Sequence, residues 1–303
     1  MAEPRFDLTT FGETMLRLSV PQGDRLERVL SLDVTAGGAE SNVAIAVSRM
    51  GKRVAWTSRL PVSPLGRRIE RSLRIEGVDT SMVRWVDQGR VGTYFIEFAP
   101  PPRRIEVVYD RRDSAASQMT AADFDWDRLL DTRVLHLTGI TPGLSKACLE
   151  ATAAAIKQAR ERGIMVSFDV NYRARLWSPD EARDALLPLL RQASLVICGT
   201  ADAQTLFGLS GEPESVLDDL QQLTQSPGVV LTRGDQGSLA REGSGTIIRQ
   251  SAIPTQIVDR IGAGDAFSAG VLCGILEGSL AQGLRYGTAM SAHKLTTFGD
   301  VML

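Results

Sequence analysis

Short β-rich runs alternate with helical stretches along most of this chain, and that alternation limits the fold more than any other feature. The runs with the apolar, β-branched composition of buried strands are Val54–Ser58, Val134–Thr138, Ile164–Asp169, Leu195–Cys198 and Val229–Thr232. The stretches with helical character are Ser41–Met50, Pro64–Glu76, Ser145–Arg162, Pro179–Gln192, Val216–Leu223, Ala263–Glu277 and Leu280–Thr297. Glycines follow four of these helices, as expected for left-handed C-terminal caps, at positions 51, 77, 163 and 278. Such βαβ units predict an α/β fold with a mostly parallel sheet covered on both faces.

Two regions do not fit this alternation. Leu16–Thr35 is extended, and Gly89–Asp110 reads as two strands, Val91–Phe98 and Arg104–Tyr109, around a turn at Pro100–Pro102. Polar and apolar residues alternate in the second region, which suits a sheet with one solvated face. We predict that residues 14–35 and 89–110 together form a small β-sheet that acts as a lid; surface hairpins are the alternative. No repeat or linker appears, so we predict one domain over residues 1–303.

Composition excludes several classes of function. The chain has 303 residues, 43% of them hydrophobic, and a net charge of −2, without the basic excess of a general nucleic-acid binder. No apolar run approaches the roughly 20 residues that span a bilayer, and Met1–Thr10 has no signal-peptide pattern. We therefore expect a cytoplasmic protein that binds neither nucleic acid nor membrane. Cys148, Cys198 and Cys273 form no CxxC pair and are expected to be buried thiols, and His136 is expected in the core.

Val258–Phe267 is the most informative segment, because an extended stretch passes through glycines into an apolar helix. The small residues Gly262, Ala263 and Gly264 let backbone N–H groups approach a ligand, and the helix N-terminus adds about half a positive charge. Together they predict an anion pocket suited to phosphate. Asp265 follows in the first turn, where it can accept a proton from a hydroxyl that attacks that phosphate. The alternative is an acid that only stabilises the helix start.

A second glycine pair, Gly37 and Gly38, precedes the helix that contains Asn42. Backbone donors and the Asn42 amide are suited to a polyhydroxylated ligand, although a tight turn explains the glycines equally well. The chain has no P-loop and no dinucleotide-binding GxGxxG fingerprint, which disfavours a Walker-type ATPase and a dinucleotide oxidoreductase.

The segments AGGAESNVA near residue 40 and DRIGAGDAFSAG near residue 265 resemble the two signatures of the PfkB (ribokinase-like) carbohydrate kinases. The resemblance covers nearly the whole chain. It implies a ribokinase-like, Rossmann-type three-layer sandwich with a central mostly parallel sheet and a small β-sheet lid. It also implies ATP as phosphate donor, Mg²⁺ as its helper, Asp265 as catalytic base, and Gly262, Ala263 and Gly264 as the anion hole.

Within that family, GETMLRL from Gly12, YDRRDSAAS from Tyr109 and FDVNYRARLW from Phe168 are similar to 2-keto-3-deoxygluconate kinases. The resemblance implies that the sugar acid is contacted by Gly38, Tyr94, Tyr109, Arg111 and Arg173. Guanidinium groups bind carboxylates through paired hydrogen bonds, which suits an acidic sugar. Ion-pair or surface roles for the arginines, and lid packing for Tyr94, are the alternatives. Asp110 and Asp113 depart from the pattern usual in these kinases, and the FDVNYRARLW segment also resembles fructokinases.

The same resemblance implies a nucleotide side of the site. It is formed by Gly199, Thr232, Gly234, Gly237 and Ala289. In place of the family's Asn-x-x-Glu motif, which helps to position Mg²⁺, this chain has Gly199 to Asp202, so the metal ligands are left undefined. Asp300, near the C-terminus, is a further candidate to reach a substrate hydroxyl.

These observations predict an ATP-dependent kinase that phosphorylates a primary hydroxyl of 2-keto-3-deoxygluconate or a related keto-sugar acid. A fructokinase or other neutral-sugar kinase is the alternative within the family, and a non-catalytic sugar sensor is the alternative outside it. Exposed edge strands in the lid would favour a homo-oligomer, a dimer or larger.

Overall fold

The computed structural model describes residues 3–99 and 103–301, so the predicted turn at residues 100–102 lies outside the described residues. The strands are β1 (Phe6–Phe11), β2 (Met15–Ser19), β3 (Asp33–Gly37), β4 (Val54–Thr57), β5 (Arg59–Pro61), β6 (Arg84–Val86), β7 (Thr93–Glu97), β8 (Glu106–Asp110), β9 (Thr132–Thr138), β10 (Met165–Asp169), β11 (Leu195–Gly199), β12 (Gly228–Thr232), β13 (Ser238–Glu242) and β14 (Ile248–Gln250). The α-helices are α1 (Ala39–Arg49), α2 (Pro64–Arg74), α3 (Trp126–Leu129), α4 (Lys146–Glu161), α5 (Pro179–Leu190), α6 (Thr200–Phe207), α7 (Pro213–Thr224), α8 (Ala263–Leu276) and α9 (Leu280–Leu295).

An eight-stranded sheet in the order β14-β13-β12-β11-β10-β9-β1-β4 forms the centre of the fold. The neighbours from β4 to β12 pair in parallel, and β13 and β14 add antiparallel at one edge. Separate apolar cores lie on its two faces, one with buried residues of α4, α5 and α7, the other with those of α1, α8 and α9. The predicted three-layer α/β sandwich is confirmed.

The two regions that break the alternation form a second sheet, in the order β3-β2-β7-β8. Strands β2 and β7 are parallel, and β3 and β8 pair antiparallel at the edges. The prediction of a small separate sheet is confirmed; β7 and β8 are each shorter than the predicted runs. A two-stranded sheet, β5-β6, was not predicted.

The glycines predicted to cap four helices have the backbone conformation that such caps require. Gly51, Gly77, Gly163 and Gly278 all have positive φ, as expected for left-handed caps. The helix predicted from Val216 begins at Pro213, because proline is tolerated in the first turn of a helix.

Two buried features agree with the sequence analysis. The three cysteines are buried and free. His136 is fully buried, its Nδ1 lies 3.2 Å from Ser167 Oγ, and burial lowers its pKa to about 3, so the imidazole is neutral. Within the described ranges, no helix is both long and apolar enough to cross a bilayer.

Candidate active site

A cavity of about 520 Å³ opens at the carboxyl ends of the parallel strands and is bordered by the second sheet. Ligand sites in open α/β sheets form at this end of the strands, and the volume lies in the range of small-molecule sites. The predicted site residues that line it are Gly38, Asn42, Tyr94, Tyr109, Arg111, Arg173, Gly199, Thr232, Gly262, Gly264, Asp265 and Asp300. The fold therefore brings together both glycine segments and the second sheet.

The start of α8 requires glycine at position 262. Gly262 is the N-cap residue with φ +82°, and a Cβ there would lie 1.8 Å from the carbonyl oxygen of Asp300. The amide of Ala263 donates to the Arg260 carbonyl at 3.3 Å. The first turn of a helix leaves its amides without intrahelical partners, so Gly264 and Asp265 present donors and the positive end of the helix dipole to the cavity.

Asp265 lies in this first turn, and only 8% of its surface is exposed. Burial raises the pKa of its carboxyl to about 6, although the hydrogen bond from Asn42 and the positive charge of Arg173 lower it. Asn42 Nδ2 donates to Asp265 Oδ2 at 2.7 Å, which joins the two glycine segments directly. The carboxylate is thus ionised at neutral pH yet more basic than an exposed aspartate, as a general base requires.

Asp169, at the end of β10, is a site residue that the sequence analysis did not single out. Ser268 Oγ donates to Asp169 Oδ2 at 3.0 Å, and the amide of Asn171 donates to Oδ1 at 3.1 Å. Burial, with the charge of Asp265, raises the pKa of Asp169 to about 7. The hydrogen bond to Asn171, whose φ is +38°, fixes the turn that leads to Arg173 at the cavity.

Tyr94 and Tyr109 project from β7 and β8, and their rings stack with centroids 5.8 Å apart. Tyr109 is partly exposed, whereas Tyr94 is buried and its hydroxyl donates to Asp300 Oδ2 at 2.5 Å. Burial and the Asp300 charge raise the pKa of Tyr94 well above its usual value. Tyr94 therefore forms the wall of the cavity with a hydroxyl that already has a partner.

Arg111 is ion-paired, one of the alternatives that the sequence left open. Its Nη2 lies 2.5 Å from Glu13 Oε2 and its Nε 2.8 Å from the same atom, and Ser114 donates to the other Glu13 oxygen. Glu13 is buried and lines the cavity. Glu13 lies within the GETMLRL segment, but the sequence does not predict its role, because its partner Arg111 lies 98 residues away.

The sequence model of the pfkB family of carbohydrate kinases matches residues 5–301. The chain belongs to this family. It is 42% identical over 296 residues to a 2-dehydro-3-deoxygalactonokinase of Haloferax volcanii, covering 97% of this chain and 92% of that protein. It is 32% identical over 304 residues to a 2-dehydro-3-deoxygluconokinase of Bacillus subtilis, covering 98% and 92%. The crystal structure of a 2-dehydro-3-deoxygluconokinase from Thermotoga maritima superposes with a TM-score of 0.92 at 34% identity, covering 99% and 96%.

In this pfkB kinase, part of the predicted nucleotide side lies at the cavity. Gly199 caps α6 and Thr232 ends β12, so both lie at carboxyl ends of neighbouring strands. Asp202, in the first turn of α6, accepts a hydrogen bond from the amide of Tyr172 at 3.1 Å, and burial raises the pKa of its carboxyl.

Other predicted positions do not line the cavity: Ala263, Gly234, Gly237 and Ala289. Gly237 has φ +85°, and a Cβ there would lie 2.1 Å from the Gln250 carbonyl oxygen, so a close strand approach accounts for the glycine. Ala289 is exposed on α9. Nucleotide roles for these positions stay predictions.

The cavity suits a metal ion that arrives with phosphates. No group of three or more acidic, histidine or cysteine residues within 3–99 and 103–301 is arranged to hold a metal ion by itself. Mg²⁺ bound to a nucleotide keeps several waters and needs only one or two protein carboxylates. Asp169 and Asp202 both line the cavity and can fill that role.

Proposed function

We propose that this pfkB kinase transfers the γ-phosphate of ATP to a primary hydroxyl of a 2-keto-3-deoxy sugar acid, the gluconate or its C4 epimer, the galactonate. The observation that carries the proposal is the buried Asp265 carboxylate at the amino end of α8, in the same cavity as Arg173. The activities named for the Haloferax and Bacillus relatives support the choice of acceptor.

In the proposed reaction, Asp265 accepts the proton of the acceptor hydroxyl as the hydroxyl oxygen bonds to the γ-phosphorus. The bond from that phosphorus to the bridging oxygen breaks, and ADP leaves with the electron pair. Of the amides of residues 262–264, that of Gly264 is best placed to stabilise the charge that develops on the transferred group, and the amide of Asp265 is an additional donor. Asp169 and Asp202 are the carboxylates we assign to Mg²⁺, which would neutralise charge on the phosphates when bound with ATP.

For the acid end of the substrate, we assign Arg173 as the main partner. No carboxylate of the described residues lies within ion-pair distance of Arg173, and the only hydrogen bond that its guanidinium donates among them goes to the Tyr172 carbonyl, at 3.4 Å. Arg111 is already neutralised by Glu13, so it orients the substrate with Tyr109, Gly38 and Asn42 rather than supplying net charge.

We further propose that residues 1–303 act as one domain whose second sheet, from about 14–35 and 89–110, is a lid over the acceptor. A lid excludes water, which would otherwise accept the phosphate. Thr232 and Gly199 are assigned to ATP on the opposite side of the cavity.

The ion pair between Glu13 and Arg111 favours one alternative, a fructokinase or other neutral-sugar kinase. A buried carboxylate beside the acceptor repels an acidic ligand and accepts hydrogen bonds from hydroxyls. A kinase for a neutral sugar needs no free guanidinium.

Release of ADP over a panel of acceptors tests the proposal. The panel contains both C4 epimers of the keto-deoxy acid, fructose, ribose and nucleosides, with Asp265→Asn as the enzyme blank. We expect turnover of one or both acids at a kcat/KM at least about 100-fold above fructose. Preferred turnover of fructose would support the neutral-sugar alternative, and turnover of nucleosides alone would overturn the substrate assignment.

A further inference from the structure

Arg17, in β2 of the second sheet, is buried against two carboxylates from the other end of the chain. Its side chain is 2% exposed; Nη2 lies 2.7 Å from Asp259 Oδ2 and Nη1 2.6 Å from Asp300 Oδ1. Nε donates to Ser19 Oγ at 2.8 Å, and the guanidinium lies over the Phe98 ring at 5.4 Å. A buried cation with this many partners has a fixed geometry.

The two carboxylates hold opposite sides of the turn before α8. Asp259 Oδ1 accepts from the amide of Ile261 at 3.0 Å, and its Oδ2 accepts from that of Gly299 at 3.1 Å. The backbone of Asp300 packs on Gly262 so closely that a Cβ would not fit. One contact of Arg17 therefore ends on the segment that presents the amides of residues 262–264, and the other ends on the C-terminal segment that packs against Gly262.

Strand register explains why Arg17 and Tyr94 meet at one carboxylate. They are directly paired across β2 and β7, so their side chains leave the same face of the second sheet. Asp300 accepts from Arg17 through Oδ1 and from Tyr94 through Oδ2. Gly37 leaves room for this contact, because a Cβ there would lie 2.2 Å from Asp300 Oδ2.

Lys294 completes the cluster. It is fully buried, and its Nζ donates to the carbonyl oxygens of Asp259 and Thr297 at 3.1 and 3.2 Å. Two buried cations thus balance the two buried carboxylates Asp259 and Asp300. Removing one cation leaves excess negative charge beside Asp265, since the Asp300 charge already raises the pKa of Asp265.

We infer that Arg17 is a positioning residue for phosphoryl transfer: it fixes the amides at the start of α8 to the second sheet and balances the charge of Asp300 beside Asp265. The inference rests on the proposed role of those amides. It predicts that loss of Arg17 affects kcat more than the KM of ATP, because the donors and the base move while most of the nucleotide side stays in place.

The test compares Arg17→Met and Arg17→Lys with Arg103→Met. The control breaks another ion pair, at 3.0 Å, between Arg103, which lies between β7 and β8, and Glu97 at the end of β7. In Arg17→Met we expect kcat to fall by about 10- to 100-fold with the KM of ATP changed less than about threefold. Arg17→Lys keeps the charge but not the two-carboxylate geometry, so it should fold and recover part of kcat.

Two further readouts separate positioning from general stability. Amide hydrogen exchange over residues 259–266, measured without substrate, should become faster in Arg17→Met and stay unchanged in Arg103→Met. The acid limb of kcat/KM should move to higher pH in Arg17→Met and stay in place in Arg17→Lys. The other groups around Asp265 are unaltered in these variants: Glu40, Asn42, Asp169, Asn171, Arg173 and Lys294.

If Arg17→Met lowers the melting temperature but leaves amide hydrogen exchange, kcat and the pH profile unchanged, Arg17 has only a structural role and the inference is overturned. If Arg17→Met does not fold, wild-type exchange and kcat in Arg17→Lys would overturn it equally. An incorrect substrate assignment appears differently, as wild-type enzyme that releases no ADP with the keto-acids, while the exchange comparison still applies.

Discussion

At the scale of single residues, the buried carboxylate of Asp265, the proposed catalytic base, destabilises the folded protein when it is ionised. Its pKa is raised to about 6, so the folded protein binds this proton more tightly than the unfolded chain does. The ionised form is therefore destabilising above pH 6, and that cost disappears as pH falls below the unfolded value near 4.

Asp265→Asn separates these two effects. We expect kcat to fall at least ~100-fold, since no other group in the first turn can take the proton. We also expect the melting temperature at pH 8 to equal or exceed that of the wild type, because the buried charge is gone and Asn42 can still donate to the new amide oxygen. ADP release and thermal unfolding measure both, and near-normal turnover would remove Asp265 from the base role.

The pH profile of the wild type follows from the same pKa. Because the base must be ionised, kcat/KM should be flat near pH 8 and decline with unit slope below about pH 6. Asp169, with a pKa of about 7, loses its charge in the same range and can only make the decline steeper. A profile flat down to pH 4.5 would contradict the assignment of a buried carboxylate as base.

A substitution at Arg173 tests whether this residue binds the carboxylate of the keto-acid substrate. Arg173→Ala should raise the KM of the keto-acid by about tenfold or more, the loss expected for a charge-assisted contact, and change the KM of ATP little. Arg162→Ala is the control, since Arg162 pairs with Asp127 on the surface at 3.0 Å. An equal loss for ATP and acceptor would assign Arg173 to the nucleotide instead.

The sequence predicted the residues whose role is local and missed those whose role depends on distant partners. Asp265, Gly262 and Asn42 lie in short motifs with a direct chemical interpretation. Arg17 looks like an ordinary polar residue in a strand, and its partners lie 242 and 283 residues away. Spacing alone does not reveal that a cation is buried between two carboxylates.

At the scale of elements, the sequence predicted most helices but missed β1, which lies inside the main sheet. The segment Phe6–Phe11 contains Asp7, Thr9 and Thr10, so it does not read as an apolar run. In the fold its polar groups have specific partners, as when Thr9 Oγ1 donates to the Leu129 carbonyl at 2.7 Å. These hydrogen bonds depend on tertiary contacts, which the alternation of polar and apolar residues does not predict.

Helices α8 and α9 pack with their backbones unusually close, and glycines make this possible. A Cβ on Gly274 would lie 2.1 Å from the Gly283 nitrogen. Gly274→Ala should therefore destabilise the protein by about 1–3 kcal/mol, the usual range for overpacking. Gly264→Ala is the matched control in the same helix, because among the described residues no atom beyond its chain neighbours and the adjacent helix backbone lies within 4 Å of a Cβ there. Chemical denaturation measures both, and equal stability of the two variants would contradict the close packing.

At the scale of the whole molecule, the second sheet has two edge strands, β3 and β8, whose outer edges pair with no other strand among residues 3–99 and 103–301. Val108 and Tyr109 in the edge strand β8 are 43% and 38% exposed, so we expect β8 to form the centre of a homodimer contact. Sedimentation equilibrium at tens of micromolar should give twice the chain mass of 32.8 kDa for the wild type. Val108→Asp should shift it toward the monomer, whereas Ile75→Asp, at an exposed site beyond α2, should not. A wild-type monomer, or a dimer unaffected by Val108→Asp, would exclude β8 as the contact.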